Sequence, residues 1–153
     1  MKLPVYLGLL NEGEEILARS FRTVAEGHAN EPDVHTILDT LARQCDRHVS
    51  ALHPALERMG TNTEDEEEHR VTADGVREVR SGPLGLLLDL QDLYVLVQHV
   101  SIMWTLVGQA AAGSRDAELG GIVSSCAPDT ELQSRWIQTR TKQAAPQALL
   151  IAR

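Results

Sequence analysis

Apolar residues recur along this chain at helical spacing. From Val5 to Glu26, the positions Leu9, Leu10, Ile16, Leu17, Phe21 and Val24 share one helix face, and Gly27 and Asn30 supply stop chemistry. A second helix is predicted from Pro32 and Asp33, where Val34, Leu38, Leu41, Cys45, His48 and Leu52 alternate steps of four and three in a one-sided stripe. Pro54 should kink its end and Gly60 should close it. Residues 61–82 break the period. Thr63 to Glu68 is an acidic run, and Asp74-Gly75 and Ser81-Gly82-Pro83 are turn signals, so this segment reads as a linker. A third helix follows from about Pro83 to Ala112, apolar at Leu86, Leu90, Leu93, Val97, Val100, Trp104 and Val107, and is expected to be the most buried. The fourth should run from near Arg115 to Ala145, with Leu119, Ile122, Val123, Cys126, Leu132, Trp136 and Ile137 inward. Pro128 is expected to kink or split it, and Pro146 to end it, leaving an apolar tail over 147–153 that could dock on the bundle or on a partner.

Connection lengths then select the topology. Short connections after helices one and three force antiparallel neighbours, whereas the long middle connection can span the molecule and let helices two and three run parallel. The expectation is an all-α, four-helix bundle with one long crossover between helices two and three, forming a single domain over 1–153.

Composition narrows the classes. A chain of 153 residues can bury one core, and with only 3% aromatics that core must be mostly Leu, Val, Ile and Ala. A net charge of -8 excludes a sequence-independent grip on nucleic acid. Cys45 and Cys126 are too few for a disulfide framework, so reduced, buried thiols are expected. The early apolar run is cut by Asn11, Glu12, Glu14 and Glu15, and residues 83–112 are interrupted by Asp89, Asp92 and His99. The expectation is therefore a cytoplasmic protein with no signal and no membrane span. Lys2 and Lys142 are its only lysines, which points to a GC-rich bacterial genome.

Candidate chemistry sits on the helical stripes. Glu14 shares a face with Leu10, Leu17 and Phe21, and Cys45-Asp46-Arg47-His48 occupies the middle of the second stripe. Asp129 to Thr139, with its Trp136-Ile137 pair, resembles the last-helix segment of bacterioferritins. Glu14 followed by Phe21 resembles their first-helix Glu and Tyr, and Asp89-Leu90-Gln91-Asp92-Leu93 their third-helix Asp-Leu-x-Leu-Glu. The end of the chain, from Trp136 to Leu149, looks like that of small actinobacterial members of the ferritin-like superfamily. The resemblance implies a ferritin-like bundle whose di-metal site uses one Glu from each of two helices and Glu-x-x-His from the other two. Mapped residue by residue, Glu14 and His48 are retained, while Cys45, Leu93, Thr130 and Gln133 stand at the other ligand positions. Iron or another divalent metal would then be held by Glu14 and His48, with Cys45, Asp92 and His99 as further candidates; with so many ligands changed, no resident cofactor is the simpler expectation.

Plainer readings stand beside these. His48 can be a hydrogen-bonded core histidine, Glu14 its partner or an outward-reaching side chain, and Asp92 with His99 a polar seam or dimer interface. Cys45 and Cys126 read as small core residues. His28, His35, His53 and His69 fall at helix ends or in loops, with no role assigned. No catalytic triad, phosphate loop or dinucleotide fingerprint is present. Three functions follow: a non-catalytic bundle acting through association, expected to be a homodimer because helix three has two apolar faces; a small metal-dependent oxidase; or a bundle holding a small apolar molecule or haem near Met103, Trp104 and His48. No protein partner other than a second copy is legible.

Overall fold

A computed structural model describes residues 1–60 and 74–153. The acidic run from Thr63 to Glu68, and His69, lie outside the described residues. The rest forms α1 (Leu3–Gly27), α2 (Pro32–Met59), α3 (Gly82–Ser114) and α4 (Ala117–Pro146), followed by one π turn over Gln147–Ile151. Among the described residues there is no strand.

Local chemistry sets the helix ends. Gly60, at φ 64°, terminates α2 in the left-handed conformation that costs glycine nothing. Arg115 takes the same role after α3 at φ 55°. Its N–H donates to Ala112 O at 3.2 Å and the next, Asp116 N–H, to Ala111 O at 2.9 Å, closing the last turn of α3. Asp116 then caps α4 by accepting from Leu119 N–H at 3.1 Å. Its carboxyl is held below the usual range by the bond from Arg58, and next by the Leu119 amide.

Pairs of bonds give the helix directions. From α1 to α2, Glu14 meets His48 and the Ala25 carbonyl meets His35. From α1 to α3, Glu14 meets Trp104 and His28 meets Asp89. From α2 to α4, Asp33 meets Arg140 and Arg58 meets Asp116. In each case rising numbers on one helix meet falling numbers on the other, so all three pairs are antiparallel. The core between them is aliphatic, centred on Leu10, Leu17, Phe21, Leu38, Leu52, Leu93 and Ile137.

Three expectations change. The fourth helix is not split: α4 passes through Pro128, as α2 passes through Pro54. Each proline deletes one bond to the carbonyl four residues back. Those carbonyls belong to exposed Ser124 and Ser50, where water can satisfy them. Nor is α3 the most buried helix: 12 of its 33 residues are buried against 10 of 25 in α1. Among the described residues it packs against α1, α4 and the π turn, and Leu84, Val95, Ile102 and Leu106 remain about half exposed. It is also long and apolar enough, by length and composition, to cross a bilayer. Finally, helical winding continues past Pro146, and the π turn packs on α3 and α4 through buried Ala148 while Leu149, Leu150 and Ile151 stay exposed.

The described end of the connection before α3 is stitched to α1. Ser20 Oγ donates to Ile16 O at 2.7 Å and accepts Val76 N–H at 3.0 Å. A Cβ on Gly75, at φ 63°, would lie 2.5 Å from that hydroxyl.

Candidate functional site

The apolar stripe of α1 carries Glu14 into the centre of the bundle, where it is fully buried. Its Oε1 accepts from Trp104 Nε1–H of α3 at 2.8 Å and faces His48 Nδ1 of α2 at 2.8 Å. The opposite ring nitrogen, Nε2, lies 2.9 Å from Asp129 Oδ2 of α4. The Trp104 ring meets the imidazole edge to face, centroids 5.8 Å apart. One histidine thus links carboxylates from two helices and a third helix supplies the indole, so every helix contributes one side chain.

An imidazole facing acceptors at both nitrogens is best satisfied when both carry hydrogen. Burial disfavours the charged ring, but the bonds and charges of Glu14, then Asp129, outweigh it and raise the His48 pKa. Asp129 sits near the rim, its side chain 26% exposed, while His48 is 2% exposed. The chain of groups therefore runs from solvent to the buried Glu14.

Cys45 lies one turn before His48. Burial, and then the Glu14 carboxylate, push its thiol well above the ordinary value, so it stays protonated. Gln133 of α4 donates from Nε2 to Gln44 Oε1 at 3.0 Å and lies 3.9 Å from the Cys45 sulfur. Two buried oxygens here, Glu14 Oε2 and Gln133 Oε1, accept no hydrogen bond among the described residues.

The structure therefore joins Glu14, Cys45 and His48, and turns Thr130 and Gln133 inward, both buried. Trp104 is the residue of α3 that reaches Glu14, and Leu93 lies about 16 Å further along the axis. Asp92 is also remote, about 18 Å along α3 from Trp104, and takes the Arg80 guanidinium at 2.9 Å. His99 is five residues from Trp104, about 140° around the helix. Neither belongs to the Glu14 and His48 cluster. Asp129 was missed because the family pattern draws attention to Thr130, one residue on; its i, i+4 relation to inward Gln133 was the available signal. His28, given no role from sequence, is 5% exposed and lies 2.7 Å through Nε2 from Asp89, which is fully buried.

A di-iron pair needs carboxylates and imidazoles aimed at common points. Here the imidazole stands between the carboxylates, both its nitrogens are engaged, and the neighbouring thiol is protonated. Among the described residues no three His, Cys, Asp or Glu side chains converge on one point. This arrangement does not fit the family's metal pair. What it does is tie four helices together through a buried ionic chain.

Compared with protein-family models, curated proteins and solved structures, the chain matches none.

Proposed function

We propose that this chain is a ferritin-like bundle in which a hydrogen-bonded ionic chain replaces the metal pair, and which works by associating with a second copy rather than by catalysis. Two relations support the ferritin-like part. α1 is antiparallel to both α2 and α3, so α2 and α3 point the same way, as a single long crossover requires. The positions that the resemblance assigns to ligands on α1, α2 and α4 are also all buried.

The observation that carries association is the outer face of α3. Leu84, Leu88, Gln91, Val95, Ile102 and Leu106 recur at steps of three, four and seven, and four of them are exposed leucine, isoleucine or valine. This is the spacing of a helix seam that pairs with another helix. It is also a larger apolar stripe than an isolated bundle needs to expose. A second copy offers the same stripe and closes the interface by a two-fold axis. Multi-angle light scattering should give twice the chain mass, and Val95→Glu with Ile102→Glu should give the monomer. A monomeric parent protein refutes the proposal.

A metal-dependent reading keeps one supporting observation, the unsatisfied Glu14 Oε2 beside Cys45. Metal analysis after incubation with ferrous iron, manganese or zinc distinguishes it. Stoichiometric metal lost in His48→Ala would favour that reading over the ionic chain.

A further inference from the structure

At the end of the bundle away from α2's C-terminus, the α1 to α2 turn, the start of α3 and the last turns of α4 enclose a cavity of about 330 Å³. We infer that this cavity binds a small organic carboxylate, held by Arg140, with the His28 ring in the wall beside it. The inference is independent of association through α3.

Arg140 lines the cavity at 12% exposure. Its Nε donates to Asp33 at 2.7 Å and its NH2 to Glu31 at the longer distance of 3.3 Å. Asp33 anchors the guanidinium, and Glu31, itself part of the cavity wall, makes the contact that an incoming carboxylate replaces. The remaining N–H groups of the planar fork suit bidentate recognition.

His28 is a buried part of the wall. Asp89 fixes its Nε2, and Asp89 is in turn fixed by Arg80, through the backbone N–H at 2.9 Å and the guanidinium at 2.8 Å. The ring is therefore oriented before any ligand arrives. Ser81 and Gly82, at the start of α3, complete the polar side; Ser81 makes no side-chain cap, so the positive end of the helix is open. Leu86, Pro83 and Ala144 supply an apolar side for the ligand body. The volume is that of a small ligand site. A single negative charge is preferred over a phosphate because Glu31, Asp33 and Asp89 already crowd the region, so each further negative charge adds repulsion.

The test is NMR of the His28 imidazole and the Gly82 amide during titration with benzoate, and separately with inorganic phosphate. Benzoate should shift both signals saturably. Arg140→Gln should weaken binding about ten- to a hundredfold, as loss of a charged hydrogen bond does. Ala144→Leu, which fills the cavity from its apolar side without touching a charge, should abolish binding while circular dichroism confirms the fold. Arg135→Gln, an exposed change on the same helix, should bind like the parent. Absence of saturable shifts, or undiminished binding by folded Ala144→Leu, overturns the proposal. Saturation by phosphate but not benzoate overturns the carboxylate assignment.

Discussion

Replacing Glu14 by alanine removes one oxygen that serves two buried donors, Trp104 Nε1–H and His48 Nδ1–H. Each donor left unpaired costs about 1–3 kcal/mol, so the pair costs about 2–6 kcal/mol. Counted instead as a broken buried ion pair, the loss is about 3–5 kcal/mol. The two figures describe the same event and agree near 3–5 kcal/mol. Removing Glu14 Oε2, which is buried without a partner, returns part of that, so the lower end, about 3 kcal/mol, is expected. Against a typical domain stability of about 5–15 kcal/mol, the variant should still fold, with a clearly lower urea midpoint.

Glu14→Gln separates charge from hydrogen bonding, because its amide oxygen can still accept from both donors. The His48 pKa is raised in the folded protein. The stability this contributes is fully present below the unfolded histidine value of about 6.5, and is lost as pH rises through the raised folded value. Urea unfolding followed by circular dichroism should therefore show parent and Glu14→Gln furthest apart on the acid side, converging as pH rises. Two results refute the reasoning: Glu14→Ala within about 1 kcal/mol of the parent, or a gap between parent and Glu14→Gln that widens with rising pH.

Three further outcomes are expected. Val95→Glu with Ile102→Glu should halve the mass measured by light scattering while leaving the helical circular dichroism intact, since both side chains are exposed in the single chain. Gly75→Ala should lower the thermal midpoint: a left-handed non-glycine residue costs about 1–2 kcal/mol, and the added Cβ also strikes the Ser20 hydroxyl that accepts from Val76 N–H. In thiol titration with an aromatic disulfide near neutral pH, neither cysteine should react quickly in the native protein and both should react in urea. Burial keeps Cys45 well above its ordinary value and pushes Cys126 up to about 11.

Much of the fold was legible because helical periodicity is a local property. The stripe through Val34, Leu38, Leu41, Cys45, His48 and Leu52 pointed inward as its spacing required, and Gly60 closed α2 where sequence placed the stop. Proline misled at Pro128, where its local cost is real but one lost bond at an exposed carbonyl is outweighed by continuous packing on both sides. The burial of α3 misled for a related reason. A helix with two apolar faces has no single preferred side in sequence, and the arrangement of its neighbours decides which leucines and valines face water.

The site divides the same way. Glu14 and His48 were found from sequence because each lies alone on an apolar stripe, where a polar side chain needs a partner. Their mutual bond is a consequence of helix register, as is the choice of Trp104 rather than Leu93 to meet Glu14. The meeting of Asp129 with His48 and the pairing of His28 with Asp89 were decided only by tertiary structure. His28 and Asp89 are 61 residues apart, and no local pattern distinguishes a histidine after a helix end that faces water from one that a neighbouring helix covers. Sequence sets which faces must be buried; the approach of one helix to another sets which buried polar atoms find each other, because hydrogen bonds act over a few ångströms that only the assembled bundle defines.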